Sequence, residues 1–118
     1  MTRKEALAEL IAKVEAGDAM SRDFHVYGWT GGYDTNAWLS YNGNLNAAKA
    51  LHEAALPDGE GWEIYRTGKY PGMIPGSSPY KFAARVGYGR THNGDCDNPA
   101  RAWLLAILRA LHSMEAAE

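Results

Sequence analysis

Five basic side chains, Arg66, Lys69, Lys81, Arg85 and Arg90, fall between Ile64 and Gly94 with no acidic residue among them. The rest of the chain holds seven basic and fourteen acidic residues, so the net charge of −2 divides into +5 and −7. Five of the thirteen aromatic residues, Tyr65, Tyr70, Tyr80, Phe82 and Tyr88, share the basic interval. Guanidinium and ammonium groups neutralise phosphate, and aromatic rings stack on planar bases. The interval therefore has the residue types of a site for a small phosphorylated ligand. In that reading Arg66, Lys69, Arg85 and Arg90 hold phosphate charge, while Tyr65, Tyr70 and Tyr80 stack or hydrogen-bond. Residues 68–79, with three prolines and three glycines, would form a lid over the ligand. The alternative is structural: Tyr80, Phe82 and Tyr88 belong to the core, and the basic groups pair with acids from other elements. Long nucleic acid fits poorly, because the acidic remainder of the surface would repel a duplex.

His92, Asp95, Cys96 and Asp97 form a second polar cluster. Their spacing matches neither a zinc ligand pair nor a calcium loop, and two carboxylates beside the lone cysteine disfavour its thiolate. No catalytic or metal site is expected there; Asp95, Asp97 and Asn98 are expected to cap a helix. His25, His52 and His112 fall on separate elements and read as ordinary partly buried or surface histidines. Of the four tryptophans, Trp29, Trp38, Trp62 and Trp103, most should be core, and Trp29, beside Gly28, is the one placed to act as an exposed stacking platform. Gly87-Tyr88-Gly89-Arg90 is too short a match to be a phosphate loop.

The elements that must position these residues can be read from apolar spacing. Thr2 and Glu5 fit a capping box, and Ala6, Leu7, Leu10, Ile11 and Val14 recur at helical spacing, which predicts a helix over Arg3–Ala16 stopped by Gly17. The aromatic and β-branched runs at 24–29 and 37–41 predict two strands joined through a turn-rich linker. Leu45, Ala48, Leu51, Ala55 and Leu56 resume a helical period that Pro57-Asp58-Gly59 ends. Residues 62–67 and 80–90 predict two further strands. In the latter, Tyr80, Phe82, Ala84, Val86 and Tyr88 take one face, and Lys81, Ala83, Arg85 and Gly87 the other. Asn98 followed by Pro99 opens a last helix whose Trp103, Leu104, Ile107, Leu108 and Leu111 must cover the sheet.

The resulting fold class is α+β: a small antiparallel or mixed sheet of about four strands with three helices in the order α-β-β-α-β-β-α, a helix/sheet sandwich. At 118 residues the chain suits a single domain with a core sufficient to fold without metal or disulfide. The single cysteine and the lack of an early apolar run after a basic start indicate neither a secreted scaffold nor a signal peptide, and a cytoplasmic protein is expected. No apolar stretch reaches the roughly 20 residues of a membrane span.

This element order, the Trp-rich middle segments and the closing Asp97-Asn98-Pro99-Ala100-Arg101-Ala102 resemble small tailed-phage proteins of the ABA-sandwich family, in which a sheet is held between helices. The resemblance implies an accessory protein made inside an infected bacterium, a class that includes proteins sequestering nucleotide immune signals. It carries over no catalytic residue. Together the residues and the resemblance lead to the expectation of a non-enzymatic counter-defence protein without cofactor or metal, binding a ligand such as a cyclic nucleotide, with Trp29 joining the basic and tyrosine residues. A homo-oligomer would enclose that ligand more fully. The alternative is an inhibitor or adaptor that acts on a host protein through the same basic aromatic face.

Overall fold

A computed structural model describes residues 3–17, 32–56, 61–66, 82–87, 92–96 and 98–115. They form helices α1 (Arg3–Ala16), α2 (Gly32–Tyr41), α3 (Leu45–Ala55) and α4 (Pro99–Glu115), and strands β1 (Trp62–Arg66), β2 (Phe82–Val86) and β3 (His92–Cys96). The α+β class holds. The strands make one antiparallel sheet in the order β1-β2-β3.

Helix α1 has the expected limits. Ala6, Leu7, Leu10 and Val14 are buried and Ile11 packs against the same core. Gly17 follows at φ +72° and donates its N–H to the Val14 carbonyl, a left-handed stop that a side chain would resist. In α3, Asn44 caps the first turn by accepting from the Ala47 N–H at 3.0 Å, and Ala47, Ala48, Leu51 and His52 form its buried stripe.

Two expectations are corrected among the described residues. The strand at 37–41 is the end of helix α2. Ala37, Ser40 and Tyr41 are buried together, a spacing of three and four that fits a helix and not a strand. The Ser40 hydroxyl satisfies itself locally by donating to the Asn36 carbonyl at 2.6 Å. The partner strand expected at 24–29 lies outside the described residues. Conversely, polar residues 92–96, read as a lead-in to the last helix, form strand β3. The described order is thus three helices, three strands and a helix.

The reason a strand of His-Asn-Gly-Asp-Cys can exist lies in Gly94. A Cβ there would stand 2.2 Å from the Ala102 carbonyl oxygen and 2.6 Å from the Ala106 nitrogen of α4. Glycine on the strand and alanines on the helix let the two backbones touch, so β3 is held by close approach in place of large apolar side chains.

Helix α4 begins as the sequence indicates. Asn98 Oδ1 accepts from the Ala100 and Arg101 N–H groups at 3.0 and 3.2 Å, with Pro99 in the first turn. The sheet packs on one side of α4, and α1, α2 and α3 pack on it from elsewhere around its circumference. Every residue from Ala102 to Leu108 is consequently buried. Leu105, which is not among the five residues of the stripe read from the sequence, is buried with the rest, as a helix enclosed by other elements requires. The described strands lie against a helix that is itself enclosed.

Candidate functional site

The strand register sorts the candidate ligand residues. Directly paired positions share a sheet face, and successive positions alternate. Trp62, Val86 and His92 make one cross-strand set, followed on the same row by Ile64, Ala84 and Gly94, then Arg66, Phe82 and Cys96. This row meets α4: Ala84 and Val86 are buried, and Ile64 and Phe82 pack against the core. The alternate row holds Glu63, Arg85 and Asn93, then Tyr65, Ala83 and Asp95. The face assignment read for β2 is therefore observed for Phe82, Ala84, Val86 and Arg85, although Ala83 is buried as well.

Of the residues proposed to bind a ligand, the fold brings Tyr65 and Arg85 to diagonal positions on the row turned away from α4. It places Arg66 in the other row, opposite Phe82. Lys69, Tyr70, Tyr80, Arg90 and Trp29 lie outside the described residues, as does the expected lid. Arg85 is exposed and donates to Glu63 across the strands at 2.5 Å. Glu63 stands immediately before the acid-free interval, which is why a search within that interval misses it. Both partners are substantially exposed, so the pair fixes geometry more than it stabilises the fold. A phosphate reaching Arg85 competes with the Glu63 carboxylate for the guanidinium.

The second polar cluster is dispersed by β3. His92 and Cys96 share a row but stand four residues apart, about 13 Å along a strand. Asp95 belongs to the other row, opposite Ala83, and Asn98 provides the cap of α4. Asp97 is outside the described residues.

One constellation was missed by sequence reasoning. The indole N–H of Trp103 donates to His52 Nδ1 at 3.3 Å, and both residues are almost wholly buried. Trp62 lies against Trp103 with ring centroids 4.3 Å apart and planes tilted by 32°, yet is 46% exposed. The three residues come from β1, α3 and α4, so no local spacing could have announced them. His52 also departs from the expectation of a partly buried or surface residue, since the acceptor role of Nδ1 lets it lie inside.

Comparisons with protein families, with curated proteins and with solved structures find no match to this chain. Among the described residues, no helix is long and apolar enough to cross a membrane.

Proposed function

We propose that the protein is a non-enzymatic binder of a small phosphorylated ligand, with a nucleotide such as a cyclic nucleotide as the favoured class. In this reading it acts by withholding the ligand from a host effector, as a phage counter-defence accessory would. The observation that carries the reading is the exposed position of Arg85 on the sheet row turned away from α4, within the one interval where basic and aromatic residues concentrate without acids. Arg85 supplies a charge-assisted donor, and Glu63 holds the guanidinium in place until an anion displaces it. Lys69 and Arg90 would add phosphate charge and Tyr65, Tyr70, Tyr80 and Trp29 ring contacts, with a second copy of the chain helping to enclose the ligand; Arg66, in the row opposite to that of Arg85, stands apart from this group.

The alternative is a protein-binding inhibitor or adaptor. The specific observation in its favour is the mixed sign of the Arg85–Glu63 pair, which suits the polar rim of a protein interface as well as an anion site. Incubation with a panel of nucleotides, followed by chromatography of the mixture and of heat-denatured protein, separates the readings. Sequestration returns intact nucleotide on denaturation. Altered nucleotide would replace binding with catalysis, and absence of uptake would transfer the case to a protein partner.

A further inference from the structure

We propose that Asn42 is a site of covalent modification, at which the side-chain amide is lost to attack by the backbone nitrogen of Gly43 and aspartate or isoaspartate is left at the junction of α2 and α3. The chain contains two Asn-Gly steps, Asn42-Gly43 and Asn93-Gly94. A glycine after asparagine has no side chain to hinder its nitrogen, so residue types alone make both steps reactive. The chemistry is the same at each. The glycine nitrogen gives up its proton and bonds to the asparagine Cγ, ammonia departs, and a five-membered succinimide ring results. Water then opens the ring at either carbonyl. Nothing is oxidised or reduced, and water is the only co-reactant. Ring closure requires the asparagine backbone and side chain to turn until Cγ meets the next nitrogen, and the fold decides which step can turn.

At Asn93-Gly94 the backbone is locked. Asn93 and Gly94 pair with Arg85 and Ala84 in the sheet, and Gly94 is buried so closely on α4 that a Cβ would stand 2.2 Å from the Ala102 carbonyl oxygen. Rotation there requires β3 to leave both the sheet and the helix. Asn42 stands instead at an exposed helix end. Its restraints are local: Asn42 Nδ2 donates to the Trp38 carbonyl at 2.8 Å, the Gly43 N–H to Ser40 at 3.0 Å and the Asn44 N–H to Leu39 at 2.9 Å, with Gly43 at φ +104°. All three bonds belong to the last turn of α2, and an exposed helix end opens at lower free energy than a strand packed between a sheet and a helix. Opening that turn frees the Gly43 nitrogen and the Asn42 amide together. The product then opposes its closing. A carboxylate cannot donate to the Trp38 carbonyl and brings negative charge to the negative end of α2. Isoaspartate also adds a carbon to the backbone at a turn with little room, since a Cβ on Gly43 would stand 2.9 Å from Asn98 Nδ2.

The test is incubation of the full chain in mildly alkaline buffer, native and in denaturing urea, followed by peptide mass spectrometry that reads the conversion of amide to acid at each asparagine. Measured against its own rate in urea, Asn93 in the native protein should be slowed about tenfold or more beyond Asn42. Asn42→Gln, whose longer side chain closes the ring far more slowly, should remove the native conversion and leave the conversion of Asn93 in urea unchanged. Equal slowing of the two steps by folding, or no native conversion at Asn42 over a time in which urea converts both, overturns the proposal. The converted protein, separated by anion exchange, should melt below the unconverted form. Equal midpoints would overturn the effect on α2 and leave the site of modification standing.

Discussion

Arg101 Nε donates to the carbonyl of Tyr41 at 2.9 Å, and the same guanidinium lies over the Tyr41 ring, 4.0 Å from its centroid. Tyr41 is the last residue of α2, so the cation serves a carbonyl with no partner inside its own helix and sits at the negative end of that helix. One side chain in the first turn of α4 thereby ties down the end of α2. Arg101→Ala should lower unfolding free energy by about 2 to 3 kcal/mol through loss of the charged hydrogen bond and the ring contact. Arg101→Lys, which lacks the planar fork, should recover less than half of that loss. Urea unfolding with an unchanged slope is the measurement, and a loss under about 0.5 kcal/mol for the alanine variant would reduce the contact to a surface decoration.

Gly94→Ala should be among the most damaging single-methyl additions at the described residues. The new carbon would overlap backbone atoms of Ala102 and Ala106, and neither can move without shifting α4. A cost of about 3 kcal/mol or more is expected, with soluble yield and thermal midpoint falling together. A normal melting curve for this variant would contradict the close approach of β3 and α4.

Trp103→Phe keeps a large ring but removes the donor to His52 Nδ1. Leaving that acceptor buried without its partner should cost about 1 to 3 kcal/mol. Adding His52→Leu removes the stranded polar group as well, so the double variant should be more stable than the sum of the two single losses implies. A double-mutant cycle by chemical denaturation reads the coupling, and strict additivity would deny the pair any coupling.

For anion binding, Arg85 and Glu63 should move affinity in opposite directions. Arg85→Glu should weaken binding more than tenfold, equivalent to about 1.4 kcal/mol, with the circular dichroism spectrum unchanged. Glu63→Gln should strengthen binding several-fold, because the phosphate no longer displaces a carboxylate from the guanidinium. If calorimetry gives parallel losses in both variants, the ion pair itself is what the partner recognises, as the protein-interface reading requires.

Much of the helical framework was legible because its signals are local. Asn98 acts as the cap its position before Pro99 predicts, and the stripe in α1 matches its apolar spacing. Residues 37–41 misled because a short run with two aromatic residues fits a strand as readily as a helix, and the helical spacing of Ala37, Ser40 and Tyr41 shows only when a serine is counted as buried. Strand β3 carries no apolar pattern at all; its stabilising contact belongs to the backbone of a helix further along the chain. For the candidate site, the exposed face of Arg85 followed from alternation, whereas its pairing with Glu63 and the Trp62–Trp103–His52 assembly needed strand order and helix placement. These are long-range facts, and single-sequence periodicity is blind to them.

The enclosed position of α4 has a consequence for how the protein is made. Every other described element packs on this helix, and it is the last of them to leave the ribosome. Until residues 99–115 emerge, the three earlier helices and the sheet have apolar surfaces facing an empty slot where their common partner belongs. Synthesis at about 5 to 20 residues per second leaves those surfaces uncovered for seconds, long enough for a chaperone to engage them. Folding of this chain should accordingly be a late, abrupt event, and a stalled ribosome carrying the chain to residue 98 should hold a protease-sensitive nascent domain that becomes resistant once α4 has cleared the exit tunnel.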